Sequence, residues 1–314
     1  LDKGYLNSVD QKLVDFFPEY VTDESDPRKK EISLRHLLTM SAGFRWNDRG
    51  PSMRYWYLSS VWVKFAVQLP QENNPGDIFN YNSSTSHLLS VILSKSTETS
   101  TLDFAKKYLF EPLGIQSAYW HQDPQGYYIG AFGLGLSARD LAKFGFLYLN
   151  NGYWNGQSIV SESWVKESTG QQIQSLSHPI YGKFGYGYQW WVKKVDDLNS
   201  FRAWGRRGQF IAVVPKLDLV IVVTSKTAQP HPPTSIHYNP LFDLVAAAVQ
   251  RKRPPKKPLI AVELPPDVNA FITDYDQARF NKNLVTMANL ISDKFLYNGV
   301  TKQMALRFLS GISN

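Results

Sequence analysis

The stretch Pro75-Gly76-Asp77-Ile78-Phe79-Asn80-Tyr81-Asn82-Ser83-Ser84, followed by the apolar run 87–93, decides how the chain is read. A Pro-Gly pair sets a turn, an extended segment follows, and a cluster of small hydroxyl residues opens a helix. Tyr81 stands at that junction. A phenol there, facing a cleft, exchanges a proton with a neighbouring hydroxyl once a nearby cation lowers its pKa. The bland reading of one tyrosine among 17 is an aromatic cover over the helix start. The flanking segments have to arbitrate.

Upstream, residues 9–17 are amphipathic and end at Pro18, and Ser33 opens a helix through Met40 that Ser41-Ala42-Gly43-Phe44 closes. Residues 56–69 carry apolar side chains at helical spacing and predict a second amphipathic helix. Further helices are expected over 87–95 and 101–109, so the first third of the chain wraps helically around the Tyr81 turn. Ser137-Ala138-Arg139-Asp140 has the form of a capping box opening a helix to Leu149, which Asn150-Asn151-Gly152 stops. The glycines of 130–136 lack the spacing of a phosphate loop and predict a tight turn. From Gly185 the texture turns to strands, at 186–192, 208–214 and 217–224, and an apolar helix at 240–250 closes the unit. The expected class is α/β, an antiparallel sheet flanked by helices with a helical insertion before it.

A length of 314 residues, 43% hydrophobic and 19% charged, fits a globular protein. Net charge is +7, but the cations are scattered. The dense run Arg251-Lys252-Arg253-Pro254-Pro255-Lys256-Lys257 reads as a solvated linker, with nucleic-acid binding the alternative that no fold signature accompanies. With no cysteine there is no disulfide, thiolate metal site or Cys nucleophile, and the dispersed histidines lack metal-ligand spacing. No apolar run reaches membrane-spanning length. The organisation expected is a main domain over 1–250, a Pro/Lys-rich linker over 251–266 and the start of a further helical domain over 267–314. His87 reads as a helix-face side chain, and His121-Gln122-Asp123 as candidates for a cleft mouth.

Several segments in collinear order carry a resemblance. They are 32–44, 75–93, 108–115, 133–145, Tyr186-Gly187-Tyr188-Gln189-Trp190-Trp191 and 204–215. Together they resemble the serine hydrolases built like β-lactamases and penicillin-binding proteins, in particular the esterase-like and 6-aminohexanoate-dimer-hydrolase-like branch. The resemblance implies three elements: a Ser-x-x-Lys nucleophile, a Tyr-x-Asn or Ser-x-Asn element and a Lys-Thr-Gly-like strand. The second falls on Tyr81-Asn82-Ser83, with Tyr81 as proton shuttle and Ser83, the other catalytic candidate, where the family often has Asn. The third falls on Arg206-Arg207-Gly208, with the backbone N–H of Gln209 as an oxyanion donor. Relatives usually carry Tyr or His and then Gly where Arg206 and Arg207 stand. The pair narrows the pocket or favours an anionic substrate, and the plain alternative for Arg207 is a surface charge. Asn82, Trp190 and Trp191 complete the expected substrate-binding set, one Trp facing the cleft and the other the core.

The first element is expected just upstream of Leu1, because in the family it runs into the turn seen here as Asp2-Lys3-Gly4-Tyr5-Leu6. The literal match Ser163-Trp164-Val165-Lys166 falls in a variable surface helix and is rejected as nucleophile. The resemblance thus implies an acyl hydrolase of a small ester, amide or lactam, cut at both ends, needing no cofactor and favouring a periplasmic or secreted setting. The rival is a non-catalytic ligand-binding module of the same fold. The tail 267–314 resembles the first helices of SnoaL-like domains, or is an appended helical hairpin.

Overall fold

The structure, a computed structural model, describes residues 1–178, 182–195, 198–205, 208–224, 242–243 and 245–249. The chain divides into two units, Leu1–Lys252 and Arg253–Asn314. The second unit lies outside the described residues, and with it the expected linker and tail.

The first half holds α1 (Leu13–Phe16), α2 (Leu34–Leu38), α3 (Pro51–Leu58), α4 (Trp62–Val67), α5 (Ser83–Thr97) and α6 (Thr101–Ala105), the last running on into a wider-wound turn, Lys106–Phe110. A two-stranded ladder, β1 (Tyr119–Trp120) with β2 (Leu134–Gly135), precedes α7 (Ala138–Leu149). A second small ladder, β3 (Tyr153–Trp154) with β4 (Gln157–Ser158), leads to α8 (Glu162–Thr169). The main sheet then forms from β5 (Ile173–His178), β6 (Gly182–Tyr186), β7 (Trp191–Val195), β8 (Leu198–Gly205), β9 (Gln209–Val214) and β10 (Leu219–Val223). Its order is β10-β9-β8-β7-β6-β5, with every neighbouring pair antiparallel.

Alternation along β9 sends its side chains to two helical layers. Ile211 and Val213 pack with Leu141, Phe144 and Tyr148 of α7, while Phe210 and Ala212 pack with Phe242 and Val214 with Ala246. Residues 242–243 and 245–249 are helical, as the apolar pattern predicted. Helix α7 lies close to the sheet because Gly145 has no side chain. A Cβ there would stand 2.6 Å from Val220 Cγ1 and 2.9 Å from Ile211 Cγ2. The helical part has its own core, built on Leu13, Phe17, Leu37, Trp56, Trp62 and Leu88.

Three expected elements come out differently. The amphipathic run 9–17 is helical only over Leu13–Phe16. The helix expected over 56–69 is two helices, because Ser59 Oγ accepts from Val61 N (3.2 Å) and breaks the ladder. Trp56 Nε1 donates to Trp62 O across that break (3.2 Å), and both rings enter one core. The strand expected over 186–192 is a reversal: Gly187 N donates to Trp190 O (2.8 Å) and Gln189 is left-handed, φ 62°. Strands β5, β6 and β8 were not expected.

Candidate active site

Helix α5 starts where the hydroxyl cluster predicted. Asn82 is extended, φ −140° and ψ 105°, and its side-chain Oδ1 accepts from Ser84 N (2.9 Å), Ser84 Oγ (2.7 Å) and Thr85 N (3.3 Å). These bonds satisfy donors that the first turn leaves free. Asn82, expected at the substrate, is therefore 3% exposed with its oxygen committed to the cap. Asn80 fixes the approach: its N–H donates to Met40 O (2.7 Å) and its Nδ2 to Phe44 O and Trp46 O.

Between these two asparagines Tyr81 turns to the sheet. Its ring lies parallel to Trp191, centroids 5.7 Å apart and planes 14° apart, in a cluster with Met40, Phe79, Phe184, Tyr186 and Trp204. Burial, and then the negative charge of Asp48, push the Tyr81 phenol up to about 12. The sequence reading expected a cation to lower it. The shift runs the other way, so at neutral pH the phenol keeps its proton. Tyr186, fully buried beside it, is also pushed well up, by burial and by Tyr81.

Ser83 is the first residue of α5 and 7% exposed; its N–H donates to Asp48 Oδ1 (3.0 Å). Trp190 and Trp191 turn to opposite sides and are both buried, 4% and 8% exposed, where one was expected to face a cleft. Trp191 faces Tyr81, whereas Trp190 turns to the α7 side, stacked on Phe144 (5.9 Å, 9°). Gly208 is left-handed (φ 81°) in the turn from β8 to β9, which any L side chain would strain. Gln209 is exposed and pairs with Gly205 across that turn. Trp204, one residue before Gly205, stands 5.5 Å from Trp191, so ring contacts link the end of β8 to Tyr81. Arg206 and Arg207 lie outside the described residues.

Ser163 and Lys166 are exposed on α8, where Ser163 Oγ bonds Ser161 Oγ (3.2 Å). Asp123 does not line a mouth. It is buried against His87, Nε2 to Oδ2 3.0 Å, with both side chains inaccessible. Among the described residues no group of three His, Cys, Asp or Glu side chains is placed to hold a metal ion, and no helix is long and apolar enough to cross a membrane. A groove of about 460 Å³ lies beside α7 and β10, lined by Ala142, Phe146, Leu149, Asn150, Asp218 and Val220. None of the candidate site residues lines it, so its size gives it no place in this chemistry.

The sequence reading passed over Asp48 and Gln189. Asp48 sits in a loop with no motif around it. Gln189 N donates to Leu38 O (3.0 Å), and its Oε1 accepts from Ser86 Oγ (3.0 Å), tying the sheet to α2 and α5. A positive φ at glutamine carries no sequence signal that could have found it.

Helices flanking a six-stranded antiparallel sheet make this a beta-lactamase-like α/β fold. The chain belongs to the beta-lactamase family, whose profile matches residues 5–244. It is 25% identical over 233 residues to the 6-aminohexanoate-dimer hydrolase of Paenarthrobacter ureafaciens, covering 72% of this chain and 55% of that protein. The chain thus spans about half the length of that curated relative. Among solved structures it is similar to a candidate 6-aminohexanoate-dimer hydrolase from Bacillus anthracis, with TM-score 0.66 and 22% identity over 81% of this chain and 69% of the other. An octameric penicillin-binding protein homologue from Pyrococcus abyssi aligns with TM-score 0.57 and 19% identity, over 78% of this chain and 61% of the other. These likenesses fit the α/β fold with its antiparallel sheet.

Proposed function

We propose that the protein is a serine acyl hydrolase acting on an ester, amide or lactam bond through an acyl-enzyme. The nucleophile in this reading is a Ser-x-x-Lys pair upstream of residue 1 in the whole protein. The seryl oxygen bonds to the carbonyl carbon while its proton passes to the lysine amine. As the bond from the carbonyl carbon to the leaving group breaks, Tyr81 gives that group its proton and takes one back from the lysine ammonium. Water releases the acyl group by the same steps in reverse roles. The N–H of Gln209 is the proposed oxyanion donor, Gly208 lets the strand approach the carbonyl, and Trp191 backs the phenol. What supports the reading is family membership together with a phenol kept protonated on the flat face of Trp191 at the start of α5. The substrate is a small molecule, and the named activity of the Paenarthrobacter relative makes short amides the first class to assay.

A fluorophosphonate probe on the full-length protein tests this. The expected result is one serine adduct, formed at least tenfold more slowly in Tyr81→Phe. No serine adduct removes the hydrolase reading. One sequence observation favours the second reading, a ligand-binding module without turnover: Arg206-Arg207 replaces the Tyr or His and Gly that relatives usually carry. That module would bind a carboxylate-bearing amide without consuming it.

A further inference from the structure

Gln189 stands in the reversal between β6 and β7 with φ 62°, a left-handed backbone that glycine adopts without strain and glutamine does not. Gly187, two residues earlier, shows that the same reversal uses glycine where close approach demands it: a Cβ there would stand 2.1 Å from Ser168 O. What a glycine at 189 could not supply is a side chain. Gln189 Nε2 donates to Leu37 O (3.3 Å) and Leu38 O (3.2 Å), alongside the bond from its backbone N–H to Leu38 O (3.0 Å). Both carbonyls belong to the last turn of α2, where helical donors run out. Gln189 Oε1 accepts from Ser86 Oγ (3.0 Å) in the first turn of α5. Tyr188, its neighbour, bonds Glu167 of α8 and Arg35 of α2 instead.

Three walls of the Tyr81 cluster therefore meet at this one amide. Helix α2 leads into Met40, whose carbonyl accepts from Asn80 N (2.7 Å), just before the phenol. Helix α5 follows directly on Tyr81 and its cap Asn82. Trp191, stacked on the phenol, comes two residues after Gln189 at the start of β7. We propose that Gln189 is a positioning residue of the Tyr81 site: bridging the end of α2 to the first turn of α5, it sets the place of Trp191 and so the face on which the phenol rests. The inference rests on reading Tyr81 as the proton shuttle. A strained backbone is kept at 189 because the side chain it carries is the one that holds sheet and helices together beside the phenol.

The test uses the full chain with ring-labelled tyrosine, the Tyr81 signal being assigned by Tyr81→Phe. The face of Trp191 displaces that signal upfield, so its position reads the stack directly. Gln189→Gly keeps the left-handed turn and removes the bridge, and should return the signal toward that of an exposed tyrosine. Ser86→Ala removes only the α5 end of the bridge and should move it the same way by less. Added to Gln189→Gly, it should change nothing further. A side chain that merely stabilised the fold would lower the urea midpoint and leave this signal in place. In the full-length protein, serine labelling by the fluorophosphonate should slow about tenfold in Gln189→Gly, as small misplacements of a reacting group do. An unmoved Tyr81 signal in Gln189→Gly overturns the proposal, and so does unslowed labelling where the wild type labels. Should that variant not fold, an unmoved signal in Ser86→Ala overturns it. The ring signal needs no turnover, so a missing serine adduct would sink the hydrolase reading and leave the placement of Tyr81 by Gln189 standing.

Discussion

Tyr81 and Trp191 lie face to face, centroids 5.7 Å apart and planes 14° from parallel. Trp191 meets Tyr186 edge-on on another side (5.0 Å, 86°) and reaches Trp204 at 5.5 Å. One indole therefore carries the candidate catalytic phenol and joins it to three strands of the sheet. Trp191→Ala opens a cavity among buried aromatics and should cost about 3–5 kcal/mol, read from the urea midpoint. It should also lower the Tyr81 titration midpoint, because burial is the larger cause of the shift. Trp191→Phe keeps a ring in place and should lose less than half as much stability.

Alkaline stability follows from the same phenol. Tyr81 is raised from 10.0 to about 12 on folding, so the folded state holds its proton more tightly than the unfolded chain does. The sign is therefore fixed. The contribution is fully present below about pH 10 and is lost as pH rises through about 12. The loss from this group is on the order of 2 kcal/mol. Tyr186, pushed up in the same sense, adds to it. In Tyr81→Phe the stability curve measured by urea at stepped pH should be flatter over that window. A curve as steep as the wild type's would place the alkaline loss elsewhere.

What could be read from sequence alone follows from how far each signal reaches along the chain. Local chemistry was legible. The hydroxyl cluster from Ser83 announces a helix start and Ser137-x-x-Asp140 a capping box; α5 begins at Ser83, and Ser137 Oγ accepts from Asp140 N, whereas Asn82, read as a substrate contact, is the cap. The failures are places where tertiary packing overrode a periodic pattern. Residues 56–69 read as one helix because Trp56 and Trp62 share an apolar face, but burying both rings in one core needed the break at Ser59. Residues 186–192 read as one strand because aromatics alternate, yet Gln189 takes a left-handed turn and hydrogen-bonds Leu38. Asp48 was invisible because its partner Ser83 is 35 residues away, and no spacing encodes a loop folding back on a helix start.

The cap of α5 gives a milder test. Asn82→Ala removes the acceptor for Ser84 N, Ser84 Oγ and Thr85 N, leaving buried donors unmet. Cap loss alone is worth about 1 kcal/mol, and the orphaned Ser84 hydroxyl brings the expected total to about 2 kcal/mol. Asn82→Asp retains the acceptor and should recover most of it. Thermal unfolding of the three proteins orders them: wild type, Asp, Ala. Asn82-Ser83-Ser84 also has the form of a glycosylation sequon. At 3% exposure its amide should remain unmodified in a glycosylating host, checked by intact mass.

The pair His87–Asp123 makes the strongest prediction because neither side chain reaches solvent. His87 Nδ1 accepts from Gly130 N (3.4 Å), so Nε2 carries the proton that Asp123 Oδ2 receives at 3.0 Å. Asp123 Oδ1 accepts from Gln125 N and Tyr127 N, both at 2.9 Å. Burial pushes this carboxyl up, but the hydrogen bonds from His87 and from the two backbone N–H groups outweigh it and hold it below 3.8. The stability this supplies is present above that value and is lost as pH falls through the lower folded pKa. His87→Ala strands a buried carboxylate and should cost about 3–5 kcal/mol. Asp123→Asn keeps the acceptor for both backbone donors and should cost less, about 1–3 kcal/mol, while flattening the acid limb of the stability curve. The double variant should cost clearly less than the sum of the two, since each single change already breaks the same bond. Strict additivity in urea denaturation would mean that the two side chains do not form a coupled pair.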